Sequence, residues 1–160
     1  MIPVPAEAER NTRNAAEDEV QSVKIKLEIV LDAIQTADDA FTYFYDTQTE
    51  EVIVLSDLDS YDEREAIADA IDSDMNRYLR LPTKYEIHEY RVMEEFSKAY
   101  PDSRIRFELC NAIRGSGAFR RFKNVIRYHS IEQEWYNWRD KTFREIAVRW
   151  CKDRGLEYIE

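Results

Sequence analysis

From Ser130 to Gly155 large apolar residues recur at the spacing of an α-helix: Ile131, Trp135, Trp138, Phe143, Ile146 and Trp150. A stripe this wide and this aromatic has to be covered, so one long helix with a buried face anchors any fold the chain can adopt. Gly155 stands where a closing residue with positive φ is wanted. Ser130 and Gln133 have the spacing of a capping box, in which the serine oxygen accepts the N–H three residues on and the glutamine reaches back. The three tryptophans are expected on one mostly buried face.

The segments before it punctuate themselves. Pro82 stops an element, and Thr83 with Glu86 forms a capping box for a helix running to Tyr100, ahead of Pro101. Tyr85, Val92, Met93, Phe96 and Tyr100 are expected to line one face of it. Ile105, Phe107 and Leu109 alternate like a strand, but Asp102 and Ser103 can cap a start and Gly115 an end, so residues 104–113 are read as a helix. Ser60 and Glu63 cap another helix. Upstream, Phe41–Tyr45 and Val52–Leu55 are β-rich runs around the polar "DTQTEE", which reads as a hairpin. Leu27, Val30, Leu31 and Ile34 give a short amphipathic helix, with Val23 and Ile25 either beginning it or forming a brief strand. The class is α+β: a small hairpin in the N-terminal half packed with a helix-dominated C-terminal half.

Length fits one globular domain over residues 21–160, with residues 1–20, polar and bracketed by Pro3 and Pro5, expected to be mobile. No apolar run reaches the ~20 residues of a membrane span, and the N-terminus lacks a basic-then-apolar signal, so a cytoplasmic protein with no membrane partner is expected. Cys110 and Cys151 are isolated, as suits buried free thiols. Net charge is -10, but unevenly spread: residues 1–100 hold 10 Lys/Arg against 24 Asp/Glu, and residues 101–160 hold 13 against 9.

The basic excess is densest in "NAIRGSGAFRRFKNVIRYH", Asn111–His129, which has five Arg/Lys and no acid. Two of the chain's three glycines are here. A Gly115-Ser116-Gly117 turn can aim backbone N–H groups at one point. The helix that follows opens on unsatisfied N–H groups and the positive end of its dipole. Arg120 and Arg121 lie in that first turn, where cations are mildly unfavourable, so something negative should offset them. A bound phosphate or carboxylate would do so. A carboxylate of the acidic half would do so equally. The candidate anion-binding residues are Arg114, Gly115, Ser116, Gly117, Arg120, Arg121, Lys123 and Arg127. Phe119, Phe122 and Ile126 read as the helix's apolar stripe. On this reading Glu at 120 and 121 leaves the empty protein as stable or more so. Gly117→Ala harms binding more than stability unless Gly117 has positive φ. The spacing fits neither a Walker phosphate loop nor a dinucleotide fingerprint.

Two blocks, "RYLRLPTKYEIHEYRVMEEF" and "AIRGSGAFRRFKNVIRYHSIEQEWYNWRDKTFREIAVRWCKDRGLEY", resemble the bacterial family known as Uncharacterised Protein Family 0158. The resemblance covers most of residues 20–160. It implies the fold and a bacterial origin, and no reaction.

The remaining polar residues carry less. His129 sits near a helix C-terminus, as a cap would, and His88 lies at a stripe edge. Two histidines and two lone cysteines give no zinc pattern. Asp57, Asp59, Asp62 and Glu63 lack the glycine and final glutamate of a calcium loop, and suit a helix N-terminus better. No nucleophile stands in a catalytic motif. The expected function is a regulatory or binding module, without catalytic, metal or cofactor residues, taking phosphate, nucleotide or nucleic-acid backbone. The alternatives are an enzyme acting on a phosphorylated small molecule and a domain that binds acidic protein surfaces.

Overall fold

A computed structural model describes residues 22–160; the 1–20 tail lies outside them. The element order is β1 (Lys24–Lys26), α1 (Leu27–Gln35), β2 (Phe41–Asp46), β3 (Glu51–Ser56), α2 (Tyr61–Ser73), β4 (Tyr78–Arg80), α3 (Lys84–Ile87), α4 (Glu89–Ala99), α5 (Ser103–Ala112), α6 (Ala118–Tyr128), α7 (Glu132–Asp153) and β5 (Glu157–Ile159). The class is α+β, with helices filling the C-terminal half. Among the described residues no helix is long and apolar enough to cross a membrane.

The long helix organises the rest. α7 packs against α1, α4 and α6. Trp135, Phe143, Ala147, Trp150 and Cys151 are buried along it, while Trp138 and Ile146 are half-buried at the stripe's edge. Gly155 closes it at φ +65°, and Leu156 N–H donates back to Cys151 O at 2.9 Å. The chain then forms β5, which pairs in parallel with β1, Lys24 opposite Glu157. That pairing ties the two ends of the described chain together beside the α1–α7 contact. So α1, with Val30, Ala33 and Ile34 buried, belongs to the main core alongside the helices after Thr83.

The hairpin β2–β3 forms as expected, with Phe41 opposite Ser56. β4 adds antiparallel to the other side of β2, in the order β3-β2-β4. The capping boxes at Ser60–Glu63 and Thr83–Glu86 are both present. Asp102 caps α5, accepting from the N–H groups of Arg104 and Ile105.

Three local expectations are corrected. Ser130 caps nothing: at φ +56° it closes α6, and Ile131 N–H donates to Ile126 O at 2.9 Å. One residue cannot hold both the left-handed conformation that ends a helix and the extended one that starts the next. α7 therefore begins after Ile131 with no side-chain cap. The helix expected from Thr83 to Tyr100 breaks at His88, which sits at φ +50°, ψ +59°. The break takes Tyr85 off the buried face; it is 82% exposed, and its ring lies 5.2 Å from the His88 ring, tilted at 52°. Finally, Phe119 is 40% exposed, whereas Phe122 and Ile126 are buried, so the stripe of α6 is narrower than the sequence reading made it.

Candidate functional site

α5 ends at Ala112, and the backbone reverses through Gly115 at φ +72° and Gly117 at φ +76°. Gly117 is the N-cap of α6 and has no side chain with which to cap it. All eight candidate residues thus meet in one turn and the helix it starts. Arg114, Gly115, Ser116, Gly117, Arg120, Arg121, Lys123 and Arg127 are all exposed.

Within this group the structure separates Arg121 from the others. Its guanidinium folds back under the turn. Nε donates to Ala112 O at 2.8 Å, Nη1 to Ser116 O at 2.5 Å, and Nη2 to Arg114 O. The last carbonyls of a helix lack intrahelical donors and mark the negative end of its dipole. An arginine in the first turn of α6 is therefore also a cation at the C-terminus of α5. Its electrostatic offset comes from main-chain oxygens.

A stability contrast follows. Arg121→Ala should cost about 1–3 kcal/mol, below the sum of three charge-assisted bonds because the group is exposed. Gly117→Ala should cost about 1–2 kcal/mol, from the left-handed φ and from a Cβ placed 3.1 Å from Arg121 Nη1. Arg120→Glu should be neutral or stabilising by up to about 1 kcal/mol, because an acid suits the start of α6. Urea unfolding of the three variants checks the ranking. Equal effects at 120 and 121 would contradict the turn geometry.

Arg120, Lys123 and Arg127 recur at i, i+3 and i+7, one side of α6 away from the buried Phe122–Ile126 line. Among the described residues ten Lys/Arg elsewhere form salt bridges, Arg77 with Asp46 and Lys98 with Glu94 included. From Arg104 to Arg127 there are seven cations, and among the described residues none makes one. Nearby acids are engaged: Glu108 Oε2 meets His129 Nε2 at 2.6 Å, and Asp102 caps α5. The half-buried His129 is thus paired at the end of α6.

The other singled-out residues have structural partners. Asp57 pairs with Arg64 at 3.1 Å, and Asp59 accepts from Ser56 N–H. Cys151 is fully buried, and burial pushes its thiol pKa up. Among the described residues no cluster of His, Cys, Asp and Glu has the arrangement of a metal site.

Sequence reasoning missed a cleft of about 470 Å³ between the α3–α4 break and the end of α7. His88, Arg91, Glu145, Arg149 and Trp150 line it. Arg154 lies over the Trp150 ring at 4.5 Å and reaches Glu86 at 3.7 Å. No motif announces it, because it depends on the backbone reversal at His88. Its charges are mixed in sign: Glu86, Arg91, Glu95 and Arg154 are in salt bridges, whereas Glu145, Arg149 and Asp153 make none among the described residues.

The profile of a family described as "Uncharacterised protein family (UPF0158)" matches residues 20–160. A relative called "UPF0158 protein PA5073", from Pseudomonas aeruginosa, is 25% identical over 67 residues. That match covers 41% of this chain and 44% of the relative, so it spans less than half of either. No solved structure matches. The family match extends over nearly the whole chain and includes both the glycine turn and the tryptophan helix: the chain belongs to the uncharacterised protein family UPF0158.

Proposed function

We propose that this protein is a binding module that takes the phosphate backbone of a nucleic acid along the exposed side of α6. The observation that carries the reading is the run of cations from Arg104 to Arg127 without a salt bridge among the described residues, in a protein whose cations are elsewhere mostly paired. Shape supports a polyanion over a single phosphate. Arg120, Lys123 and Arg127 are strung along about 10 Å of helix at 1.5 Å per residue. They form an exposed row, and a row of charges matches a chain of phosphates better than one small anion. Arg114 and the turn extend the row at its N-terminal end, where the uncapped amides of α6 lie. Arg121 adds charge there while its donors hold the turn. Phe119, exposed one turn before Lys123, offers a ring on which an unpaired base can stack.

Anisotropy of a labelled single-stranded oligonucleotide of about 15 nucleotides tests the reading. Three phosphate contacts predict a slope of log K against log salt of about -2. Changing Arg120, Lys123 and Arg127 together to Gln should weaken binding at low salt at least about tenfold and flatten the slope. The fold should survive, since none of the three makes a side-chain hydrogen bond or salt bridge among the described residues. Unchanged affinity in the triple variant, or binding indifferent to salt, would overturn the proposal.

A further inference from the structure

The hairpin β2–β3 presents a different kind of surface. In the β2–β3 ladder, Asp57 N–H donates to Ala40 O at 3.0 Å, which fixes the alternation of the pairing. Glu51, Ile53 and Leu55 turn their backbone groups toward β2. Val52, Val54 and Ser56 turn theirs away. Ser56 is satisfied locally: its N–H donates to Asp59 Oδ2 at 3.1 Å, and its carbonyl accepts from Asp59 N–H at 3.3 Å. The outward N–H and C=O of Val52 and Val54 have no partner among the described residues. β3 is the edge of its sheet, and both valines are about 40% exposed.

Edge strands are normally blunted by proline, lysine, a bulge or a covering element. β3, "EVIVLS", has no proline or lysine, and its register with β2 runs unbroken from Glu51 to Ser56. Exposed apolar side chains gather around it: Leu58 is 83% exposed and Tyr61 76%. The charge is mostly of one sign, although Asp57 is paired with Arg64 at 3.1 Å. From Thr47 to Glu63 there are six acids and no Lys or Arg.

We infer that the edge of β3 is a docking site for an extended basic peptide, which adds as a further strand on the side of β3 away from β2. Backbone pairing at Val52 and Val54 supplies up to four hydrogen bonds, and Val/Leu/Tyr side chains supply apolar contact. The acids on either side of the strand select lysine or arginine in the segments flanking the peptide's apolar core. They also disfavour a second copy of this chain in that place, since both edges would bring the same acidic flanks together. The site is independent of the α6 face, and its test reads different residues.

The probe is a capped octapeptide, Lys-Arg-Val-Thr-Val-Thr-Lys-Arg, with a twin N-methylated at alternate residues along its pairing edge. Isotope-labelled protein is monitored by amide exchange. Expected results are fast exchange of the Val52 and Val54 amides in the protein alone and their slowing on addition of the peptide. The N-methylated twin, which keeps the charge and loses the donors, should bind at least about tenfold more weakly. So should wild-type peptide to Val54→Pro, a substitution that removes an outward donor without touching the β2 ladder. Should Val54→Pro fail to fold by circular dichroism, the N-methylated twin on the wild-type chain decides. The inference is overturned if the twin binds as well as the parent, or if nothing binds up to about 1 mM. It is also overturned if Val52 and Val54 are already protected in the protein alone. A dimer in solution that Val54→Pro converts to a monomer would overturn it too, by assigning the edge to a second copy.

Discussion

Truncating Phe122 to alanine lowers the unfolding free energy by about 3–5 kcal/mol, the range for a buried phenylalanine whose cavity cannot collapse. For a chain of this length that is a fall in Tm of roughly 6–20 °C. The side chain is 1% exposed. Its ring meets Trp135 edge-on at 4.8 Å and Phe96 at 6.0 Å. Phe96 in turn meets Trp135 at 5.3 Å and Trp138 at 5.9 Å. One aromatic cluster therefore joins α4, α6 and α7, and Phe122 is the contribution of α6 to it. Phe119→Ala is the internal control. It lies three residues earlier on the same helix, is 40% exposed, and should cost no more than about 1 kcal/mol. Urea unfolding followed by tryptophan fluorescence measures both. The contrast bears directly on function, because the rotation of α6 that buries Phe122 is what turns Arg120, Lys123 and Arg127 outward. Equal costs at 119 and 122 would mean a different rotation, and the basic row would no longer be a row.

What could be read in advance was whatever one segment decides by itself. The Ser60 and Thr83 capping boxes, the Asp102 cap and the Gly155 stop each use residues within a few positions of one another, so spacing alone identifies them. The hairpin is of the same kind. Ser130 shows the limit of that logic. Its spacing to Gln133 is right, but it is shared between two helices, and the closing of α6 prevails. His88 is harder still: a non-glycine residue with positive φ gives no sequence signal, and it cost the reading both the helix break and the position of Tyr85. β1, β4 and β5 are three residues each, too short for a periodicity, and their pairing is set by distant partners.

The glycine turn is legible from composition: Gly115 and Gly117 both adopt positive φ between α5 and α6. What composition could not show is the direction in which Arg121 points. A cation at a helix start was taken to need an anion. The carbonyls that receive it are the last of the helix before, Ala112, and two of the turn, Arg114 and Ser116, nine, seven and five residues back in the chain. Polarity at a helix–turn–helix junction is the sum of two dipole ends, and a sequence read one helix at a time sees only one of them.

Replacing Arg77 with leucine lowers Tm by on the order of 5–10 °C, because it strands a carboxylate that the fold has taken out of water. Asp46, the last residue of β2, is 2% exposed. Arg77 holds it from both sides, Nε to Oδ1 at 2.9 Å and Nη2 to Oδ2 at 2.6 Å. The N–H groups of Gln48 at 2.9 Å and Thr49 at 3.4 Å also donate to Oδ1. The pair spans 31 residues and fastens the hairpin turn to the segment that leads into β4, a strand with only three paired residues of its own. The Arg77 guanidinium, first, and then the two backbone donors hold the Asp46 carboxyl well below the usual carboxylate range, against the opposing effect of burial. A depressed native pKa means that the unfolded chain takes up the proton first. The stabilisation is therefore complete above the unfolded value, about pH 4, and is lost as pH falls through the native one. Asp46→Asn keeps an acceptor for Gln48 and Thr49 but cannot ionise. It should be less stable than the wild type at pH 7, and the gap should narrow steadily between pH 5 and pH 2. Thermal unfolding of wild type, Asp46→Asn and Arg77→Leu across that range reads the effect. A gap between wild type and Asp46→Asn that stays constant with pH would show that the carboxylate charge contributes nothing, and that the pair acts only through its shape.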